Sequence, residues 1–181
     1  MNIFVLSTDP VEAASYHCDQ HLHKMILESA QMLSTAAHTH FPHLKGHIYA
    51  PAYQNHPCTV WTAACFPNMV WLCSLANSLD NIRQANGSNR HTSMDVIQAV
   101  NDCLSYEICH ADYKSELTPW AEAMYPHIKV RSDLTTVQKY QLYYQKKHTQ
   151  WVLDKGKGMT YKGRSIPEFM KTVLEGVISG G

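Results

Sequence analysis

The chain has 181 residues, 45% of them hydrophobic, so it is large enough to bury one core, and a single domain is expected. Its formal net charge of zero excludes a uniformly basic coat, and no run of 18 apolar residues offers a transmembrane helix. The opening MNIFVL lacks the basic region and long apolar segment of a secretory signal.

The neutral total conceals a split. Residues 1–138 carry seven Lys/Arg against twelve Asp/Glu, whereas residues 139–181 carry eight against three. A basic C-terminal quarter (139–171) on a mildly acidic body suggests a polyanion partner; a solvated helix and loop is the bland alternative. Six cysteines occur without a CxxC, and Cys58, Cys65 and Cys73 fall in apolar helical patterns. Free buried thiols in a reducing cytosol are therefore expected, rather than a disulfide framework or a zinc ribbon.

In chain order, MNIFVLS reads as a brief strand or a packed arm. Asp9-Pro10-Val11-Glu12 then starts a helix: Asp caps, Pro takes the first helical position and Glu12 closes a capping box. One long helix is predicted over 9–38, fading near Thr39, and a proline-rich loop follows over 39–57. Residues 58–85 return to helix with a break near Pro67, and Asn86-Gly87 ends it. Further helices are predicted over 94–105 after Ser93, from Thr118-Pro119 to Pro126, over 135–153 and from Pro167. The fold class is thus an all-α, single-domain helical bundle.

The first long helix carries the strongest chemical signal. His17, His21, Lys24, Glu28, Gln31 and Thr35 follow at steps of four, three, four, three and four. At about 100° per residue they share a sector of roughly 80°. Leu27 on one side and Met25 and Met32 on the other make this a polar seam between apolar walls. Lys24 and Glu28 have the spacing of an ordinary surface ion pair. Enclosed, the same groups would suit proton transfer or stabilisation of a developing cation, and a desolvated lysine would suit imine formation.

His17 and His21, four apart, offer a metal-binding alternative that Glu28 could complete. On the 135–153 helix, Tyr140, Tyr144, Lys147 and Trp151 share a face beside Lys139, Tyr143, Lys146 and Gln150. Interleaved rings and amines suit nucleic acid, although Tyr140, Tyr144 and Trp151 also fit a core stripe. Lys139, Lys146 and Lys147 are the DNA-backbone candidates.

The run Asp19-Gln20-His21-Leu22, with Glu28 seven residues after His21, resembles the first helix of the phage pyrimidine-dimer DNA glycosylases of the endonuclease V type. Longer stretches resemble a set of uncharacterised phage-encoded proteins: 19–36, HPCTVW (56–61), NMVWL (68–72), RHTS (90–93), TPWAEAM (118–124) and YQLYYQKK (140–147). The glycosylase resemblance implies a small helical intracellular enzyme, in the cytoplasm of a phage-infected host. Such an enzyme excises a base from double-stranded DNA and cleaves the abasic strand through an imine on its N-terminal amine, without a cofactor. By position the catalytic glutamate falls on Glu28 and the helix histidine on His21. The family's freed small N-terminal residue is absent, because Asn2 follows Met1, so the Met1 amine or Lys24 must be the nucleophile. The arginines that flank the family's glutamate are replaced by Leu27 and Ser29.

The expected function is a DNA glycosylase/abasic-site lyase with Glu28, Lys24, His21 and Met1 as catalytic residues. Gln31, Trp71, Arg90, His91 and Tyr143 are the substrate-binding candidates, with Trp71 and Tyr143 stacking on an extruded base. The alternatives are a metal-dependent phosphohydrolase or nucleotide-modifying enzyme built on His17, His21 and Glu28, and a non-catalytic phage protein that binds DNA or a host factor.

Overall fold

The computed structural model describes residues 1–110 and 116–178, with side chains as far as 174. Within them the chain forms α1 (Pro10–Ser15), α2 (Asp19–His40), α3 (Pro57–Ala64), α4 (Phe66–Ala85), α5 (Met94–His110), α6 (Pro126–Lys129), α7 (Thr136–Lys155) and α8 (Glu168–Ile178). A single 3-10 turn occupies Pro42–Leu44, and no strand occurs among the described residues. The fold is all-α. No single described helix is long and apolar enough to cross a membrane.

The predicted helix over 9–38 is two helices. Asp9 caps α1 as expected, its carboxylate accepting the Glu12 N–H at 2.7 Å. Glu12 does not close a capping box; its carboxylate takes the Ser7 hydroxyl and the Tyr16 hydroxyl instead. The helix stops at Tyr16, because the Cys18 N–H leaves the helical ladder and donates to the Tyr144 hydroxyl of α7 at 2.9 Å. Cys18 is extended (φ −69°, ψ 163°), and α2 restarts at Asp19, whose N–H goes to the Thr160 carbonyl at 2.8 Å. His17 therefore lies outside α2, out of phase with the seam.

α2 is the central element. Met25, Ile26, Met32 and Leu33 are fully buried, each worth roughly 1.5–3 kcal/mol of burial, and the helix packs on α3, α4 and α5. α3 and α4 meet at a 115° bend at Cys65, two residues before the expected break. Residues 118–125, predicted helical, run without helix, and the short α6 begins only at Pro126, where the predicted helix was to end. Tyr140 holds this stretch: its hydroxyl donates to the Ala121 carbonyl (2.7 Å) and accepts the Ala123 N–H (3.2 Å). Helix α7 starts on a full capping box between Thr135 and Gln138 and ends at Gly156 in the left-handed conformation (φ 62°).

All six cysteines are free, and Cys18, Cys58, Cys65 and Cys73 are buried. Burial pushes the Cys58 and Cys73 thiols up to about 12, so both are inert at neutral pH. The residues of MNIFVL form a packed arm rather than a strand. Ile3, Phe4, Val5 and Leu6 are buried, and the Leu6 carbonyl accepts Gln141 of α7 at 3.0 Å.

The start of α2 also clamps the basic C-terminal loop. Asp19 accepts the Thr160 hydroxyl (2.7 Å), the Lys162 N–H (2.8 Å) and the Arg164 guanidinium (2.8 Å). Burial pushes the Asp19 carboxyl up, but these hydrogen bonds outweigh it and hold it below its ordinary value. A carboxyl lowered on folding stabilises the fold fully above its unfolded value near 3.8, and that contribution is lost as pH falls through the lowered folded value. Asp19→Asn should therefore be less stable than the parent at pH 7, with the difference shrinking below about pH 4. Urea unfolding from pH 7 to 2 checks this; a difference that stays constant with pH would refute it.

Candidate active site

The N-terminal arm delivers the chain's first two residues onto the middle of α2. Asn2 makes the turn: its side-chain oxygen accepts the N–H groups of Ile3 (2.8 Å) and Phe4 (2.9 Å), and its amide donates to the Ala123 carbonyl (2.7 Å). This self-capping turn supports Phe4 at φ 37°, a left-handed conformation that a non-glycine residue adopts only when its surroundings enforce it. The Asn2 backbone N–H then points at Glu28 and donates to Oε2 at 2.9 Å.

Glu28 is the focus of the arrangement. Its side chain is 12% exposed, and a second oxygen, Oε1, lies 3.7 Å from the Met1 α-amine and 3.5 Å from Lys24 Nζ. Lys24 is 56% exposed, so the ε-amine reaches in from solvent, whereas the Met1 side chain is enclosed, its sulfur accepting the Thr59 hydroxyl at 3.3 Å, and its α-amine faces the cleft. A third amine stands close by. Lys147 Nζ lies 5.3 Å from the Tyr143 ring centre and 5.9 Å from that of Phe4. Burial, assisted by the charge of Lys24, lowers its pKa, and Glu28 opposes the shift. The spacing that reads as a surface ion pair in sequence is thus one carboxylate beside several amines at the edge of the interior.

His21 closes the inner side. It is buried, stacked on Phe4 with ring centres 5.0 Å apart and flanked by Trp151 at 5.2 Å. The Tyr144 oxygen accepts the Cys18 N–H and is hydrogen-bonded to His21 Nδ1 at 2.7 Å. Burial, with His17, Lys24 and Lys147 nearby, holds His21 well below its ordinary pKa and therefore neutral. His17 donates from Nδ1 to the Ala13 carbonyl at 2.7 Å, and burial pushes it down to about 4.

In front of Met1 and Asn2 opens a cleft of about 490 Å³. His56, Pro57, residues 122–126, Lys129 and Tyr143 line it. Tyr143 is half-buried and meets Tyr125 edge to face at 4.9 Å. Lys146 is exposed and borders an adjoining shallow cleft with Tyr125, His127, Thr149 and Gln150.

Several sequence candidates lie elsewhere. Trp71 is 4% exposed, its indole N–H donates to the Thr8 carbonyl at 2.8 Å, and its ring packs against Trp61 and Trp120, so it belongs to the core. His91 is buried around Asp80, which accepts its backbone N–H at 2.9 Å, and its ring pairs with His23, well round α2 from Glu28. Arg90 makes an ion pair with Asp95 on that same side of the molecule. Lys139 is consumed by Glu122 and the Lys129 carbonyl, both at 2.9 Å, so it is not a phosphate contact. Gln31 is half-buried one turn beyond Glu28 and is not part of the cleft wall; Thr35 bonds the Gln31 and Ala52 carbonyls. The metal alternative also loses its geometry. His17 is off the helix, 6.4 Å from His21 between ring centres, and no group of three or more His, Cys, Asp or Glu among the described residues could hold a metal ion.

Sequence reasoning did not single out Phe4, Tyr125 or His56 as site residues. His56-Pro57 carried a usable signal, since proline at a first helical position leaves the residue before it as the cap.

No family model, curated protein or solved structure matches the chain.

The Tyr144 hydroxyl is the joint between the α1–α2 break and His21. Tyr144→Phe should strand the Cys18 N–H and His21 Nδ1 in the interior and cost about 1–3 kcal/mol, read as a lower urea midpoint. An unchanged midpoint would mean that the hydroxyl does not organise the break.

Proposed function

We propose that the protein is a phage-encoded DNA glycosylase/abasic-site lyase with the Met1 α-amine as nucleophile and Glu28 as its acid–base partner. One observation carries the reading: the chain's α-amine is held 3.7 Å from a nearly buried carboxylate that also binds the next backbone N–H. An α-amine is intrinsically less basic than a lysine ε-amine, so at neutral pH more of it carries the free electron pair that attacks carbon.

The chemistry follows from that pairing. With a nucleotide extruded into the cleft, the amine attacks C1′ and the C1′–N bond breaks, its electron pair leaving with the base, which takes a proton from solvent. Glu28 stabilises the positive charge developing on the sugar and receives the surplus amine proton. It returns that proton to the ring oxygen as the C1′–O4′ bond opens, leaving an iminium. Loss of a C2′ proton then expels the 3′ phosphate, and water hydrolyses the imine to restore the amine. Lys146 and Lys147 supply charge for the DNA backbone, and Tyr143 offers a ring for stacking.

Borohydride should trap a covalent adduct on at least one of a panel of uracil-containing, abasic and dimer-containing duplexes, and peptide mapping should find the adduct on Met1. Glu28→Gln should retain the fold and lower turnover by about 10²–10⁴-fold. No adduct and no strand cleavage on any duplex would overturn the proposal. Salt-sensitive duplex binding without an adduct would leave a DNA-binding protein in its place.

A further inference from the structure

His56 stands in the cleft with its ring chemistry already decided. The Cys58 N–H points at Nδ1 at 3.2 Å and caps α3. A backbone N–H only donates, so Nδ1 holds a lone pair and the neutral ring carries its proton on Nε2. The backbone is equally fixed: the His56 N–H donates to the Tyr53 carbonyl (2.9 Å), its carbonyl accepts the Val60 N–H (3.0 Å), and Pro57 follows. Protonating Nδ1 would set two donors against each other and release the cap, so the fold itself favours the neutral donor.

The rest of the cleft indicates what that donor meets. Pro57, Ala123, Met124 and Pro126 are apolar, and Tyr125 and Tyr143 present flat rings. Glu122, the cleft's carboxylate, is engaged by Lys139 and the Thr136 hydroxyl. The Met1 amine, with Glu28 behind it, marks where C1′ would sit. Lys129, also in the lining, is again a donor. The lining thus offers apolar and aromatic surface to a planar ring and hydrogen-bond donors to its edge.

We propose that His56 reads the extruded base, donating from Nε2 to a carbonyl oxygen, so that the enzyme takes bases with a keto edge and rejects those presenting an amino group there. This rests on the glycosylase reading and adds the substrate class to it. An amino edge would bring donor against donor, and a site built from buried polar groups discriminates by leaving them unpaired.

The test uses duplexes that differ only in one mismatched base: uracil or hypoxanthine against cytosine or adenine. The full chain should bind the keto pair about five- to ten-fold more tightly. His56→Ser, which keeps an α3 cap, should erase that preference with an unchanged melting temperature, and His56→Gln should restore part of it. On the unaltered protein, ¹⁵N-histidine NMR should show the Nε2–H tautomer at His56 and a shift of that signal on adding the uracil duplex. Equal binding of all four bases, a preference that survives His56→Ser, or an Nδ1–H tautomer would overturn the assignment. If abasic DNA still gives a borohydride adduct in any of those cases, the lyase reading stands and the role of His56 alone falls. If no duplex binds and no adduct forms, both fall together.

Discussion

The hydrogen bond from the Asn2 backbone to Glu28 is the constraint around which this molecule is arranged. A carboxylate withdrawn from water needs partners, and α2 itself supplies only the solvent-facing Lys24. The compensation comes from the chain's beginning. To bring it there the arm must turn sharply at Asn2, hold Phe4 in a left-handed conformation and bury four consecutive residues without a ladder to pair them. Phe4 in turn sets the rings behind it, with His21, Tyr143 and Tyr144 all within 6 Å of its centre. Satisfying one acid therefore fixes the arm, the aromatic cluster and the amine at once.

That dependence explains what could be read from the sequence. The seam on α2 was legible because helical periodicity is a local property: Lys24 and Glu28 fall together through 3.6-residue geometry alone. Its outer end was not. His17 keeps the four-residue spacing, but the helix breaks before it reaches α2, since Tyr144, more than 120 residues away, competes successfully for the Cys18 N–H. The capping signal at Asp9 was local and held, whereas the role of Glu12 was decided by Ser7 and Tyr16.

The site's other half depends on long-range contacts that no spacing reveals. Met1 meets Glu28, and Tyr125 meets Tyr143, only because Tyr140 and Asn2 pin the stretch around Ala123. Trp71 illustrates the reverse error. An aromatic residue at helical spacing satisfies both a stacking role and a core role, and the indole N–H bonded to Thr8 selects the second.

The charge split of the sequence has a similar double meaning. A basic C-terminal quarter on an acidic body reads as attraction for a polyanion, yet much of it is spent within the chain. Arg164 closes on Asp19, Lys139 on Glu122, and Lys155 lies over the Trp151 ring. The first of these docks the C-terminal loop onto the start of α2 and the second holds α7 to the stretch around Ala123, so part of the asymmetry is complementarity within one fold. The amines beside the cleft are fewer and better placed. Lys146 and Lys147 sit on neighbouring faces of α7, and Lys129 stands across the cleft that opens on the Met1 amine. A patch of two or three amines beside a single reactive position suits positioning of one strand more than extended coating of a duplex. Electrostatics of that size would orient a nucleotide and leave its identity to the groups inside the cleft.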